Sequence, residues 1–229
     1  MICSIIPMDK QLKRLTEEFL SSATTLNEKA LALMGIKVRL DEIVPLEEHD
    51  RQYYLLPECI QTLYDTLWEK MIVPKSHGRW YGEEGNSLWI PDDDYCPPNK
   101  SYSNVSGLSW AQIKAKYGIK GIRYQNYLPC FEDIQAESVT VDYAKSGFDR
   151  YSGGDSSLHE LAFAALSKKK GWSKEEAYAF KEDRAHDWPI KKPLVWHELP
   201  DCKTMILVPQ EIHGNIPHFG GIAMASLIC

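Results

Sequence analysis

The sequence has little of what marks membrane, secreted or disulfide-rich proteins. Its six cysteines are scattered singly with no Cys-x-x-Cys pair, which disfavours a zinc knuckle or a compact disulfide framework and favours a reducing compartment. No stretch approaches the roughly 18 apolar residues of a transmembrane helix, and the first ten residues lack the basic start and apolar run of a signal peptide. We therefore expect a soluble protein with no membrane partner, whose export from a cell would need a leaderless route.

The chain also lacks the positive charge that is common in nucleic-acid-binding proteins. Its net charge is −6 over 229 residues, which weighs mildly against a phosphate-rich partner. The deficit is not uniform, because residues 160–229 hold nine basic and nine acidic side chains. Lys168–Lys170 and Lys174 form a basic cluster there, with Lys191 and Lys192 further on. These lysines indicate either a phosphate-binding surface or an ordinary solvated helix face.

The first 76 residues carry mainly helical patterns. Apolar residues at helical spacing predict one helix over residues 8–34, ended by Gly35, and another over 57–71. Residues 40–45 could form a short strand. A plausible linker at 75–78 then suggests a boundary between a helical region, 1–76, of unknown role and a second region, 77–229.

The second region is predicted to be of mixed, loop-rich structure at first. A short helix is expected over 109–117, followed by strand-like runs at 122–124, 128–131 and 138–141. Helical spacing returns at Ser157. A capping-box pattern, Ser173 with Glu176, opens a further helix over 174–185. The fold class is therefore α+β.

The last 40 residues predict a compact ββα finger. Residues 194–199 and 204–208 are strand-like and are joined by the turn-forming residues 200–203, which predicts a hairpin. Pro209 suits the first turn of a helix over 210–215. The finger accordingly occupies about residues 190–226.

Four of the seven histidines, His186, His197, His213 and His218, fall within 33 residues around this finger. Because the end of the first strand faces the helix, His197, His213 and His218 can converge on one point. Two neutral imidazoles suit a divalent ion such as Zn²⁺, Ni²⁺ or Mn²⁺, with Mg²⁺ as a further candidate, while a third could take a proton from water. This pattern points to metal-dependent phosphodiester hydrolysis.

The segment resembles the HNH/endonuclease VII superfamily, in the Trp-His-His variants found as C-terminal toxins of bacterial polymorphic and contact-dependent systems. The matching residues are Trp196-His197, Asp201, Lys203-Thr204-Met205, Leu207-Val208-Pro209, His213, His218 and Gly220-Gly221. Weaker likeness extends the resemblance to residues 79–226, and none covers the first 75. It implies that His197 is the general base, that His213 and His218 bind the metal, and that DNA is the substrate. It also implies a toxin delivered into competitor cells and neutralised by an immunity protein.

One position departs from this pattern, because many relatives have a second histidine where this chain has Glu198. Glu198 could be catalytic or a ligand, or it could face away from His197, as alternation along a strand favours. Asp201 could be a ligand but is more simply a turn former, and His186 could contact phosphate or cap a helix end. Trp196 is expected in the core.

Two rival functions fit the same residues. The first is an RNase of the same fold, because a metal and a base do not select the sugar. The second is an inactive, metal-stabilised module that binds a protein through the acidic N-terminal half of the chain.

Overall fold

The computed structural model describes residues 7–100, 103–147, 157–186 and 194–229, and the side chains of 182–186 lie outside the description. Four helices come first: α1 Lys10–Leu20, α2 Leu26–Asp41, α3 Leu46–Leu55 and α4 Glu58–Lys70. The helix predicted over 57–71 is confirmed as α4. No helix among the described residues has both the length and the apolar character needed to cross a membrane.

The single helix predicted over residues 8–34 is wrong, because two helices occupy that stretch. The backbone turns to an extended conformation at Ser21, and α2 restarts at Thr25, whose side chain forms a capping box with Glu28. Helix α2 then continues through Gly35, where an added Cβ would lie 3.1 Å from Leu15 Cδ2. Gly35 therefore allows α1 to pack closely on α2 and does not end the helix. The strand predicted over 40–45 is also wrong, because α2 extends to Asp41.

A four-stranded antiparallel sheet follows, made of β1 Gly78–Tyr81, β2 Leu88–Pro91, β3 Ile122–Gln125 and β4 Leu128–Pro129, in the order β1-β2-β3-β4. Helix α5, Trp110–Tyr117, packs beside it with Ser109 as its N-cap, as predicted. Strands β3 and β4 were predicted as well. The β1–β2 pair was not, because its glycine, proline and aspartate residues indicate loops.

A second sheet carries the finger. It contains β5 Glu137–Thr140, β6 Leu194–Glu198 and β7 Thr204–Pro209, in the antiparallel order β5-β7-β6. Helices α6 Leu158–Lys170 and α7 Lys174–His186 precede β6, and α8 Gln210–His213 and α9 Gly221–Ile228 follow β7. The predicted hairpin and helix are confirmed, although α8 is shorter than expected. The third strand, β5, makes β7 the centre of the sheet.

This second sheet separates two hydrophobic cores. On one face, Trp196, Met205 and Leu207 join a core shared with α1, α2, α4, α6 and α9. On the other face, Ile206 and Val208 join a smaller core built with the first sheet and α5. Alternation along β6 and β7 thus directs neighbouring residues into different cores.

The N-terminal helices contact the finger directly. Helix α9 packs on α2 and α4, and Asn27 Nδ2 donates a hydrogen bond of 2.7 Å to the carbonyl of Asp201 in the hairpin turn. The larger core therefore contains residues from both sides of the linker predicted at 75–78. The domain boundary suggested there stays a prediction.

Candidate metal centre

Three histidines from different parts of the finger meet at one point. His197 lies on β6, His213 is the last residue of α8, and His218 lies in the loop before α9. Each offers a ring nitrogen, and these nitrogens lie within 4.8 Å of one another. The convergence predicted from the sequence is confirmed.

Two contacts orient the rings. His197 Nδ1 lies 3.1 Å from His213 Nε2. His218 Nδ1 lies 2.8 Å from the carbonyl oxygen of Ile216, so Nδ1 carries the proton and donates it to that carbonyl. Nε2 of His218 is then the ring nitrogen that carries the lone pair, as in metal-binding histidines whose second nitrogen is held by a carbonyl.

An aromatic ring forms the apolar floor of the cluster. The centroid of Phe131 lies 4.9 Å from that of His197, 5.6 Å from His213 and 5.2 Å from His218. Phe131 is fully buried and opens a short 3-10 helix, Phe131–Ile134. Sequence reasoning missed this contribution, because Phe131 is 66 residues from His197 and no local pattern links them.

Helix α8 is anchored by a buried carboxylate. Lys116 Nζ donates to both carboxylate oxygens of Glu211 at 2.9 and 2.7 Å, and the Tyr117 hydroxyl donates to the same group at 2.9 Å. Burial, followed by the hydrogen bond to Glu211, raises the pKa of Tyr117 well above its usual value. This contact fixes the helix that ends in His213 against α5.

The loop between His213 and His218 is fixed as well. Asn215 Nδ2 donates to the carbonyls of Glu211 and Ser103, and the Ser103 hydroxyl donates to Asn215 Oδ1 at 3.0 Å. Asn215 therefore fixes the loop that joins His213 to His218. No local pattern indicates this role, because Ser103 lies 112 residues from Asn215 in the chain.

The three imidazoles fit a divalent transition metal. Tetrahedral zinc with Zn–N distances of about 2.0–2.1 Å places neighbouring nitrogens about 3.3 Å apart, close to the 3.1 Å between His197 and His213. Imidazole nitrogen is a preferred donor for zinc and nickel. Three ligands also leave a coordination position for substrate or water, as catalytic zinc sites do.

Glu198 lies apart from the cluster. Cross-strand pairing opposes His197 to Ile206 and Glu198 to Met205, so the two neighbours point to opposite faces of the sheet. The Glu198 carboxylate is 3% exposed and lies 3.7 Å from His159 Nε2 on α6. Glu198 is also one of the residues that line the cleft, about 660 Å³ in volume, that contains His213 and His218.

The remaining sequence candidates take structural places or lie outside the description. Asp201 accepts hydrogen bonds from the backbone of Lys203 and from the backbone and hydroxyl of Thr204, as a turn former does. Trp196 is buried at 1% exposure, as expected. His186 ends α7, and its side chain is among those not described.

Neither of the two glycines after His218 serves a left-handed turn, and close packing explains Gly221. Both have ordinary negative φ angles or helical geometry, since neither is among the residues with positive φ. A Cβ on Gly221 would lie 2.3 Å from the carbonyl oxygen of Leu199. The chain therefore needs glycine there to lay α9 against the end of β6.

Two of the four lysines in the basic cluster at the end of α6 are paired. Lys169 Nζ lies 3.2 Å from Glu137, and Lys170 bonds the same carboxylate. The Lys170 contact is the largest of those that lower the pKa of Glu137. These two lysines thus stabilise the junction of α6 with β5.

Comparison with protein families identifies the finger. Residues 191–226 match the WHH family model, described as a nuclease of the HNH/ENDO VII superfamily with conserved WHH. The matched range contains Trp196, His197, His213 and His218. No curated protein and no solved structure matched the chain. The chain thus carries a WHH module, a phosphodiester hydrolase of a metal-dependent superfamily.

Proposed function

We propose that this protein is a metal-dependent endonuclease that hydrolyses phosphodiester bonds of DNA. The observation that carries the proposal is the meeting of three ring nitrogens within 4.8 Å inside the segment that matches a nuclease family. DNA as the substrate rests on the resemblance noted in the sequence.

His197, His213 and His218 would hold one divalent ion, with Zn²⁺, Ni²⁺, Mn²⁺ and Mg²⁺ as candidates. A metal ion bound there supplies Lewis-acid stabilisation of the charge that develops on the phosphate and the leaving oxygen. The three rings pack against Phe131, and His197 is 2% exposed, so the rings need little rearrangement when that charge develops.

The division of labour among the residues differs from the one the resemblance implies. His197 is 2% exposed and its Nδ1 lies at ligand spacing from His213, which supports a third ligand role rather than that of a free base. Glu198, the other sequence candidate, has its carboxylate on the opposite face of β6 from the three histidines, so we assign it to support of β6 rather than to the attacking water. His197 as the base is the alternative assignment.

A cleavage assay tests the proposal. Protein stripped with a chelator and reloaded with each ion is incubated with supercoiled plasmid, single-stranded DNA and single-stranded RNA. We expect metal-dependent nicking of DNA, which His213→Ala abolishes. Cleavage of RNA alone would establish the RNase alternative. If chelation unfolds the protein and no polymer is cut under any ion, the chain is a metal-stabilised binding module.

A role as an antagonism toxin, with delivery into target cells by a leaderless route and a cognate immunity protein, belongs to the same proposal. It rests on the resemblance of residues 79–226 to toxin modules. Induced expression in bacterial cytoplasm should arrest growth and fragment DNA, whereas His213→Ala should be tolerated. Equal growth of cells that express active and inactive forms would contradict the toxin role.

A further inference from the structure

A second cleft, about 470 Å³ in volume, adjoins the metal centre. It shares four lining residues with the cleft that contains His213 and His218, namely Lys100, Gly214, Ile216 and Pro217. Gly214 directly follows His213, and Pro217 directly precedes His218. The fixed loop that carries the two histidines is therefore the common wall, and a molecule bound at the metal centre can continue into the second cleft.

The second cleft presents a stacked pair of rings. His77 lies over Tyr95 with ring centroids 3.7 Å apart and planes 2° from parallel. His77 is exposed and Tyr95 half-buried, which makes His77 the outer member of the stack. Trp89 and Trp110 line the same cleft and are each 3% exposed. Flat aromatic surfaces of this kind are what unpaired nucleic-acid bases stack on.

The backbone holds His77 in an unusual conformation. Its φ is +62°, in the left-handed region that few residues other than glycine adopt. The amide of Asp92 donates to the His77 carbonyl at 2.9 Å and fixes this position. Backbone strain of this kind is found preferentially at ligand sites, where the surrounding structure imposes it.

The charge of the cleft suits a phosphate chain. Lys75 and Lys100 line it, and no acidic residue is among its described lining residues, although the whole chain carries a net charge of −6. Lys75 also pairs with Glu84. Lys100 lines both clefts, so the same cationic residue borders the path between them.

We infer that the His77–Tyr95 stack binds an unpaired base of the substrate, next to the phosphodiester cut at the metal centre. The inference rests on the proposed nuclease function and extends it to a substrate class, nucleic acid that is single-stranded at the cut. A base held in a duplex is stacked on its neighbours and must be extruded before it can use such a platform.

Binding of a labelled octathymidylate, measured by fluorescence anisotropy in excess chelator, tests the inference without cleavage. His77→Asn removes the ring but keeps a residue that tolerates positive φ, and Tyr95→Leu removes the lower ring. We expect each to weaken binding by about 5- to 100-fold, the range of a lost base–aromatic stack. An octamer of abasic sites with the same number of phosphates should bind the unaltered protein that much more weakly.

Matched variants separate stacking from misfolding. Tyr95→Phe keeps the ring, and Tyr81→Ala removes an exposed ring on β1, at 77% exposure, that lies outside the cleft lining. Both should bind the octamer as the unaltered protein does. Thermal unfolding should confirm that His77→Asn remains folded.

The outcomes distinguish this inference from the nuclease proposal. If His77→Asn and Tyr95→Leu bind normally, or the abasic octamer binds as well as octathymidylate, the stacking site is wrong even if the protein cuts DNA. If octathymidylate binding depends on both rings but no polymer is cut with any metal, the site stands and the nuclease proposal fails.

Discussion

The two faces of the three-stranded sheet differ in what they carry, although they are formed by alternate residues of the same strands. One face presents His197 to the second core, to Phe131 and to the other two histidines. The opposite face buries Trp196 and Glu198 against α6 and the core that it shares with the N-terminal helices. One step along β6 therefore separates the residues of the reaction from those that hold the module together.

The largest effect is expected when a proposed metal ligand is removed. His213→Ala and His218→Ala should each lower cleavage by about a thousandfold or more, because the site loses a metal ligand worth several kcal/mol of transition-state stabilisation. Metal content by elemental analysis should fall with activity. Both variants should keep the unfolding free energy of the metal-free protein within about 1 kcal/mol. Unchanged metal content in either variant would contradict the ligand assignment.

The neighbouring residues His197 and Glu198 test the difference between the two faces directly. If His197 is a metal ligand, His197→Ala should lose both metal and cleavage. Glu198→Gln should keep both, because its carboxylate lies on the opposite face of the sheet. Retained metal with lost cleavage in His197→Ala would restore His197 as the base, and lost cleavage in a folded, metal-loaded Glu198→Gln would place that carboxylate in the reaction.

Variants of Trp196 test the face of the sheet that packs into the larger core. Trp196→Ala should lower the free energy of unfolding by about 3–5 kcal/mol, because it empties a large volume in the main core. Trp196→Phe, which keeps most of the buried area, is the matched control and should cost less. At a temperature where Trp196→Phe remains folded, its specific cleavage rate should be close to that of the unaltered protein. A loss of rate without loss of stability would place Trp196 in the reaction itself.

The smallest effect is expected at the glycine pair. Gly221→Ala should destabilise the protein by about 1–3 kcal/mol, because its Cβ would meet the backbone oxygen of Leu199 at 2.3 Å. Gly220→Ala is the matched control, since the nearest atom to its Cβ would be 3.4 Å away, at ordinary contact distance. Urea unfolding distinguishes the two. Equal stability of both variants would mean that close packing does not explain Gly221.

Local pattern was enough to predict the finger. The strand-like runs at 194–199 and 204–208, the turn residues between them and the spacing of the histidines are all short-range signals, and the hairpin and the convergence of the histidines were confirmed. Strand β5, which completes the sheet, was predicted as a strand but not as a partner of β7, because sequence alone does not reveal pairing between residues 68 positions apart, as Ser138 and Ile206 are.

What the sequence did not reveal depends on contacts between distant segments. Phe131 lies 66 residues from His197, which its ring contacts, and Ser103 lies 112 residues from Asn215, to which it is hydrogen-bonded. No periodicity indicates either contact. Gly35 was misread for a related reason: a glycine at a close helix crossing looks the same in sequence as one at a helix end. In both cases packing between segments decides the outcome.

Anomalous X-ray scattering from crystals of metal-loaded protein would locate the divalent ion that the three imidazoles are proposed to hold. We expect one strong peak at coordination distance, about 2.0–2.1 Å for zinc, from His197 Nδ1, His213 Nε2 and His218 Nε2. An ion located elsewhere, or the lack of any peak in crystals of protein that still cuts DNA, would show that the three histidines do not hold the ion.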